Sequence, residues 1–230
     1  MSWLGPEEWQ AVMLSLKVAF WATFLSLPPA IAVAYALARG RFWGHGLLNG
    51  LVHLPLVLPP VVTGYLLLIF FGSQGIGGRM LEAVGLPLAF RWTGAVLAAA
   101  VMAFPLVVRA IRLSIEAVDR RLEDSAATLG ATPIRVFATV TLPMALPGVL
   151  AGAVFGFAKA MGEFGATITF VSSVQGETQT LSLAVFSFLQ MPGGESSAVR
   201  LVLISIVIAM AALVLSEWLA RLVARKVAGI

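Results

Sequence analysis

The chain has 230 residues, of which 60% are hydrophobic and 11% charged, with a formal net charge of +4, and its mean hydropathy is +0.97. A soluble domain of this size cannot hide so much apolar surface, whereas long uncharged runs are bilayer spans at roughly 20 residues per helical crossing. The absence of cysteine excludes disulfides and thiolate metal sites, and the basic excess records membrane topology rather than nucleic-acid binding.

The first apolar run begins near Ala11, after the acidic stretch "PEEW", and continues past Ala34. It has neither a basic n-region nor an A-x-A-like cleavage site, so it reads as a span and not as a removed signal peptide. Five spans are predicted, over about 11–38, 47–71, 92–113, 144–171 and 201–223, within a single transmembrane domain covering 1–230. Pro28, Pro29, Pro55, Pro59, Pro60, Pro105 and Pro147 fall inside them. In lipid, such interruptions survive only where neighbouring helices or a cavity satisfy the freed backbone groups. Some of these helices are therefore expected to be broken, and all to pack on one another.

With the N-terminus outside, the inner loops and span ends carry Arg39, Arg41, Arg109, Arg112, Arg120, Arg121, Arg135, Arg221, Arg225 and Lys226, against Arg79, Arg91 and Arg200 outside. The positive-inside rule then gives an N-out, C-in chain, in agreement with five crossings. The outer segments 72–91 and 172–200 are too long for plain hairpins. Within the second, "LSLAVFSFLQ" (Leu181–Gln190) is apolar but too short to span, and suits either a half-helix dipping into the membrane or an interfacial segment.

On the inner side lies "EDSAATLGATPIRVFATVTLPMALPG", Glu123–Gly148. A short helix is expected from about Asp119 to Leu129, ended by Gly130 in the left-handed conformation. Thr132 suits the N-cap and Pro133 the first position of a second short helix. Ile134, Phe137 and Val140 share nearly one face of that helix, and Pro143 is expected to stop it. Physics alone allows two uses for this segment, from about 119 to 143. It can rest on lipid headgroups, although the acidic pair Glu123–Asp124 opposes an anionic surface, or it can present apolar knobs to a soluble partner's groove.

The pattern "D-S-A-A-T-L-G…T-L-P" resembles the EAA loop of ABC importer permeases. In that family an acidic residue is followed by two alanines, a glycine and a later Leu-Pro. Ala126, Gly130, Leu142 and Pro143 match, Asp124 stands for the usual glutamate with Glu123 beside it, and Ser125 replaces the first alanine. "LPLVLPPVVTGYLLL" (Leu54–Leu68), "GEFGATITF" (Gly162–Phe170) and "PGGESSAVRL" (Pro192–Leu201) are similar to the molybdate branch of these permeases. The resemblance implies an all-α type I importer permease with a MetI-like core, in the five-span form, in the bacterial inner membrane. It further implies a homodimer, an ATPase subunit that holds the ATP, and a periplasmic oxyanion-binding protein. The loop would dock on the ATPase through Glu123, Asp124, Ala126, Leu129, Gly130, Ile134 and Phe137. No cofactor or metal is expected on this chain itself, and no nucleic-acid partner.

Two places inside the membrane invite a functional reading. Glu163 is an acid deep in a span, and Lys159 lies one helical turn before it. The pair either neutralises itself within the bundle or lines an oxyanion route, and Gly162 and Gly165 permit close helix contact there. Pro59 and Pro60 break the second span, so that Thr63 and Gly64 begin a new helix whose amide dipoles favour anions; a simple packing kink is the plainer alternative. Glu217 with Arg221, His53 and Lys17 read as structural, Lys17 by snorkelling to the headgroups, and His45 lies in a basic inner loop. There is no G-x-x-x-x-G-K-[ST] phosphate loop and no H-E-x-x-H zinc helix, so a translocation subunit, not an enzyme, is expected. Sulfate or tungstate are rival cargoes within the same fold. A self-standing secondary transporter would need more intramembrane carboxylates than Glu163, and an assembly scaffold would have no use for the coupling loop.

Overall fold

The computed structural model describes residues 4–227, with side chains described as far as Leu215 and at Trp218. Glu217 and Arg221, predicted to pair, lie outside the described side chains. Among the described residues the chain is helical throughout, with no strand.

Helix α1 runs from Pro6 to Arg39, straight through Pro28 and Pro29. The predicted second span is two helices, α2 (His45–Val57) and α3 (Pro60–Phe71), bent by 114° at the Leu58–Pro59 step. At 1.5 Å per residue each is roughly 20 Å long, so neither crosses a bilayer core of about 30 Å unaided. The outer segment 72–91 contains a short helix, α4 (Ile76–Ala83). Helix α5 (Trp92–Glu116) continues through Pro105. Helices α6 (Arg120–Thr128) and α7 (Pro133–Val136) form the inner loop, followed by α8 (Leu142–Met161). The predicted fourth span, 144–171, stops at Met161, and the chain restarts as α9 (Gly165–Val171). Helix α10 (Leu181–Leu189) precedes α11 (Glu195–Val227). Among the described residues, four helical stretches are long and apolar enough to cross a membrane, and five crossings result if the bent α2–α3 pair counts as one.

The core is the three-way packing of α1, α5 and α8. Helix α5 is its centre because one of its faces is built from small residues. Ala95, Ala98, Ala99 and Ala103 are buried to 1% exposure or less and let neighbouring backbones approach. Val107 of α5 fits against Gly156 of α8, where a Cβ would sit 2.7 Å from Cγ2 of the valine. The large apolar side chains that cannot fit this centre, such as Phe20, Phe24, Leu66, Ile69 and Val207, point outward and are exposed on the isolated chain. A bilayer solvates such a surface.

Ion pairs gather at the two ends of the bundle. At one end Arg200, near the start of α11, grips Glu8 of α1 with Nη2 at 2.6 Å and Nε at 3.1 Å from Oε1. At the other, Arg39 closes α1 onto the inner loop through Glu123, and Arg112 donates to Asn49 of α2 and pairs with Glu116. The start of α1 and the start of α11 thus share a side, as five crossings require. His45 and His53 are held by backbone carbonyls, those of Leu37 and Asn49.

Lys17, expected to snorkel to the headgroups, holds its ammonium over the Trp92 ring, 3.5 Å from the centroid.

Candidate functional site

The inner loop is organised by its own backbone chemistry. Asp119 caps α6, its carboxylate accepting from the Arg121 N–H at 2.9 Å. The helix ends in a Schellman arrangement, with the Ala131 N–H donating to the Ala126 carbonyl and the Gly130 N–H to that of Ala127. Gly130 has φ +88°, the left-handed conformation the sequence required of it. Thr132 occupies the next N-cap position but its hydroxyl makes no capping bond, and Pro133 opens α7.

Pro143 does not stop the second helix. Residues Phe137–Thr141 form a π-turn, whose wider register carries the Leu142 N–H to the Phe137 carbonyl, and α8 continues from it. A proline at 143 lacks the N–H that a regular helix would offer to the carbonyl four residues earlier. One turn of i→i+5 bonding absorbs that mismatch. The loop is consequently rigidly continuous with a membrane-spanning helix, over Pro133–Met161.

The predicted docking residues divide into two sets. Leu129 is 90% exposed and Ile134 81%, one on each side of the Gly130 turn. Asp124 is exposed near this apolar tip, and Ala126 is half-buried. Phe137 turns the other way, its ring 4.8 Å from that of Tyr35 on α1, so the expected face of Ile134, Phe137 and Val140 is split by packing. Glu123 also turns inward. Its carboxylate lies 3.0 Å from Nε of Arg39 and accepts from Thr141 Oγ1 at 2.6 Å, while Arg39 donates to the Val118 carbonyl at 2.9 Å. Glu123 is thus a tie between α6, the end of α1 and the π-turn, not a group offered to a partner. Of the two acids, Asp124 alone is exposed.

Inside the bundle, the two helix breaks meet. Helix α3 begins at Pro60 and α9 at Gly165, and the two pack on each other. A Cβ on Gly165 would lie 2.7 Å from Cβ of Pro60, and one on Gly64 would lie 2.8 Å from Cα of Ala166. Only glycine allows this contact. Gly162 is different: a Cβ there would come no nearer than 3.8 Å to any atom outside its immediate neighbours, so it terminates α8 without being a contact point.

Glu163 lies in the break rather than on a continuous helix. One carboxylate oxygen is 3.0 Å from Nζ of Lys159; the other accepts from the Ala166 N–H at 3.0 Å, capping α9. Its side chain is 2% exposed and that of Lys159 32%. Phe164, between the two helices, packs on Phe186 of α10 with centroids 5.0 Å apart. Thr63 is buried beside Gly64 with its hydroxyl unpartnered, while Pro59 and Pro60 are exposed on the isolated chain. The structure therefore brings Pro60, Thr63, Gly64 and Glu163 to one junction, with Lys159 at its exposed edge. Helix α10, which carries the short apolar segment, is docked rather than loose: the Leu181 N–H donates to Ser15 Oγ of α1 at 2.6 Å. The Glu8–Arg200 and Arg39–Glu123 pairs were not anticipated, since nothing local in a sequence marks a contact between residues so far apart.

Residues 26–229 match the family of binding-protein-dependent transport system inner membrane components. The chain belongs to this family. It is 57% identical over 227 residues to the molybdenum transport system permease protein ModB of Escherichia coli (strain K12), covering 98% of this chain and 99% of that one. The protein of that name from Haemophilus influenzae is 56% identical over 95% of this chain and 96% of its own length. A sulfate transport system permease protein, CysT of Salmonella typhimurium, is more distant at 33% identity over 81% of this chain and 67% of its own. Among solved structures, a bacterial alginate ABC transporter in complex with its pentasaccharide-bound periplasmic protein superposes with a TM-score of 0.75 at 18% identity, over 94% of this chain and 79% of that chain. The fold is therefore that of the membrane subunits of ABC importers, and the chain is an inner-membrane transport component.

Proposed function

We propose that this chain translocates molybdate as the permease subunit of an ATP-driven importer. It would work as a homodimer with two copies of a separate ATPase and a periplasmic oxyanion-binding protein. The observation that carries the cargo is the 57% identity to a molybdenum permease over nearly the whole of both chains, against 33% for a sulfate permease. The inner loop supports the partner: Leu129 and Ile134 form an exposed apolar tip on a rigid turn, of the kind that fits a groove on a soluble subunit.

Closure of the ATPase dimer on ATP would move the tip. The π-turn passes that movement into α8, and the Arg39–Glu123–Thr141 tie passes it into α1. The broken helices α3 and α9 would then shift at their glycine contacts, opening the dimer outward to receive the anion from the docked binding protein. Hydrolysis resets the cycle. Pro59, Pro60, Thr63, Gly64, Lys159 and Glu163 are the candidate pathway residues. Lys159 is the partly exposed cation that would attract the dianion, and Glu163 limits its hold. The cap that Glu163 places on α9 favours a second, positioning role for this carboxylate.

The test is uptake into proteoliposomes holding this chain, its ATPase and the binding protein, with labelled molybdate and competing sulfate or tungstate. ATP-dependent molybdate uptake that excess sulfate leaves intact is expected; competition by tungstate would widen the cargo to both anions. Equal competition by sulfate would overturn the assignment. Reactivity of Ser125→Cys only from the cytoplasmic face, and of Ser196→Cys only from outside, checks the orientation in this cysteine-free chain.

A further inference from the structure

A groove of about 860 Å³ runs between α1, α2 and α5, away from the α3–α9 junction. Its walls are apolar, with Trp21, Leu51, Pro55, Trp92, Ala100 and Phe104 along them. We propose that this groove holds an acyl chain of an anionic phospholipid, whose headgroup sits at Lys17 and Trp92.

Three observations fix the occupant. The first is depth. Helix α1 has 34 residues, roughly 50 Å at 1.5 Å per residue, so about 20 residues counted back from Arg39 at the inner surface fill the hydrocarbon core. That count places Phe20 at the outer boundary of the hydrocarbon and Lys17 just beyond it. Trp92, the first residue of α5, lies against Lys17 and so marks the same level. Phe20, Trp21 and Phe24 pack on one another beside it, with centroids 5.7–6.0 Å apart, as an interfacial aromatic belt does.

The second is length. From Trp92 to Phe104 the groove follows α5 for roughly 18 Å, about the depth of the hydrocarbon in one leaflet. A chain entering beside Lys17 would run along α5 to about the midplane, and the apolar lining continues towards the inner side to Val33 and Leu48.

The third is charge. Among the described residues, neither Lys17 nor Arg91, the exposed residue preceding Trp92, has a carboxylate within ion-pair distance. Lys17 is held over the Trp92 ring by a cation–π contact, which orients the ammonium without neutralising it. Two uncompensated cations and an indole N–H donor at the mouth of an apolar groove match a phosphodiester with an acyl tail.

The test is native mass spectrometry of the purified homodimer, delipidated and then offered palmitoyl-oleoyl phosphatidylglycerol or phosphatidylcholine. Wild type is expected to retain phosphatidylglycerol preferentially. Filling the groove with Ala100→Phe, or from the opposite wall with Leu51→Trp, should remove the retained lipid while the dimer mass persists. Two variants are used so that a folding failure of one leaves the other to decide. Lys17→Gln should keep the acyl site but reduce the preference for phosphatidylglycerol about fivefold, the effect of one basic residue at an anionic headgroup, and Lys17→Arg should restore it. Equal retention by wild type and a folded filled variant would overturn the site. So would a disulfide-linked dimer formed by Leu51→Cys in native membranes, since a second copy would then occupy the groove.

Discussion

The inner loop and the α3–α9 junction are both places where the chain breaks a helix, and they are stabilised in opposite ways. At the inner loop, close to water, polar groups make the ties: Arg39, Glu123 and Thr141 join three elements through charge-assisted hydrogen bonds. At the junction, deep in the bundle, fit replaces polarity. Gly64 and Gly165 allow backbones into contact, and one carboxylate satisfies both a lysine and a helix end. The difference follows from the solvent. A desolvated polar group in the bundle must find every partner inside the protein, whereas steric complementarity carries no desolvation cost. A loop close to water can use bonds that water helps to exchange.

The comparison breaks most visibly at Gly64. Gly64→Leu drives a Cβ into the backbone of Ala166, and backbone cannot give way as a side-chain tip can. A cost of about 3 kcal/mol or more is expected, at the upper end of over-packing, with loss of dimer on size-exclusion chromatography and of uptake. Gly162→Ala, where space is open, should leave both intact. A tolerated Gly64→Leu would show that α3 and α9 are not tightly joined.

Glu163 gives the next effect. Glu163→Ala leaves Lys159 and the Ala166 N–H without their partner, at a cost of about 2–3 kcal/mol, lower than for a fully buried pair because Lys159 is a third exposed. Glu163→Gln keeps an acceptor for the Ala166 N–H and removes the charge. If the cap dominates, the glutamine variant should keep near-normal thermal stability and the alanine variant should not. Exchanging the pair, Lys159→Glu with Glu163→Lys, retains opposite charges but loses the cap, so recovery should be partial. Uptake falling further than ATP turnover in that double variant would support the pathway role of Lys159.

At the inner loop, Glu123→Ala is expected to cost roughly 1–2 kcal/mol, as for a hydrogen-bonded charge that water partly replaces. The ATPase should still bind, since the exposed tip is untouched, but ATP turnover should no longer drive uptake. A double-mutant cycle with Arg39→Ala would measure the coupling, and additive effects would deny the tie. Gly130→Val is expected to cost about 1–2 kcal/mol, confined to the turn, since a Cβ there meets nothing within 4 Å. Pull-down of the ATPase should weaken while the dimer survives, the reverse of the Gly64→Leu outcome.

These regions were not equally legible. The turn at Gly130, its Schellman closure and the exposure of Leu129 and Ile134 depend on a few adjacent residues, and the sequence carried them. The inward turn of Glu123 and Phe137 did not show, because it depends on Arg39 and Tyr35 arriving from α1. The break at Pro59–Pro60 was readable from proline chemistry, whereas the break at Gly162–Phe164 was masked by the apolar runs on either side of it. The i,i+4 spacing of Lys159 and Glu163 brought the pair to notice for the wrong local reason: the two residues meet across a helix end, not along a helix.

The sequence by itself determined the solvent, the helical class, the near-complete set of crossings and the turn at Gly130. Each of these follows from hydropathy or the φ preference of one residue, both local properties. The tertiary structure alone decided that Glu8 finds Arg200, that Glu123 faces inward, that a π-turn carries α8 past Pro143, and that α3 and α9 meet at their broken ends. Those outcomes depend on how separate helices close on one another. A side chain's partner is then chosen by which neighbour the packed backbone brings within about 3 Å, a distance that no local pattern encodes.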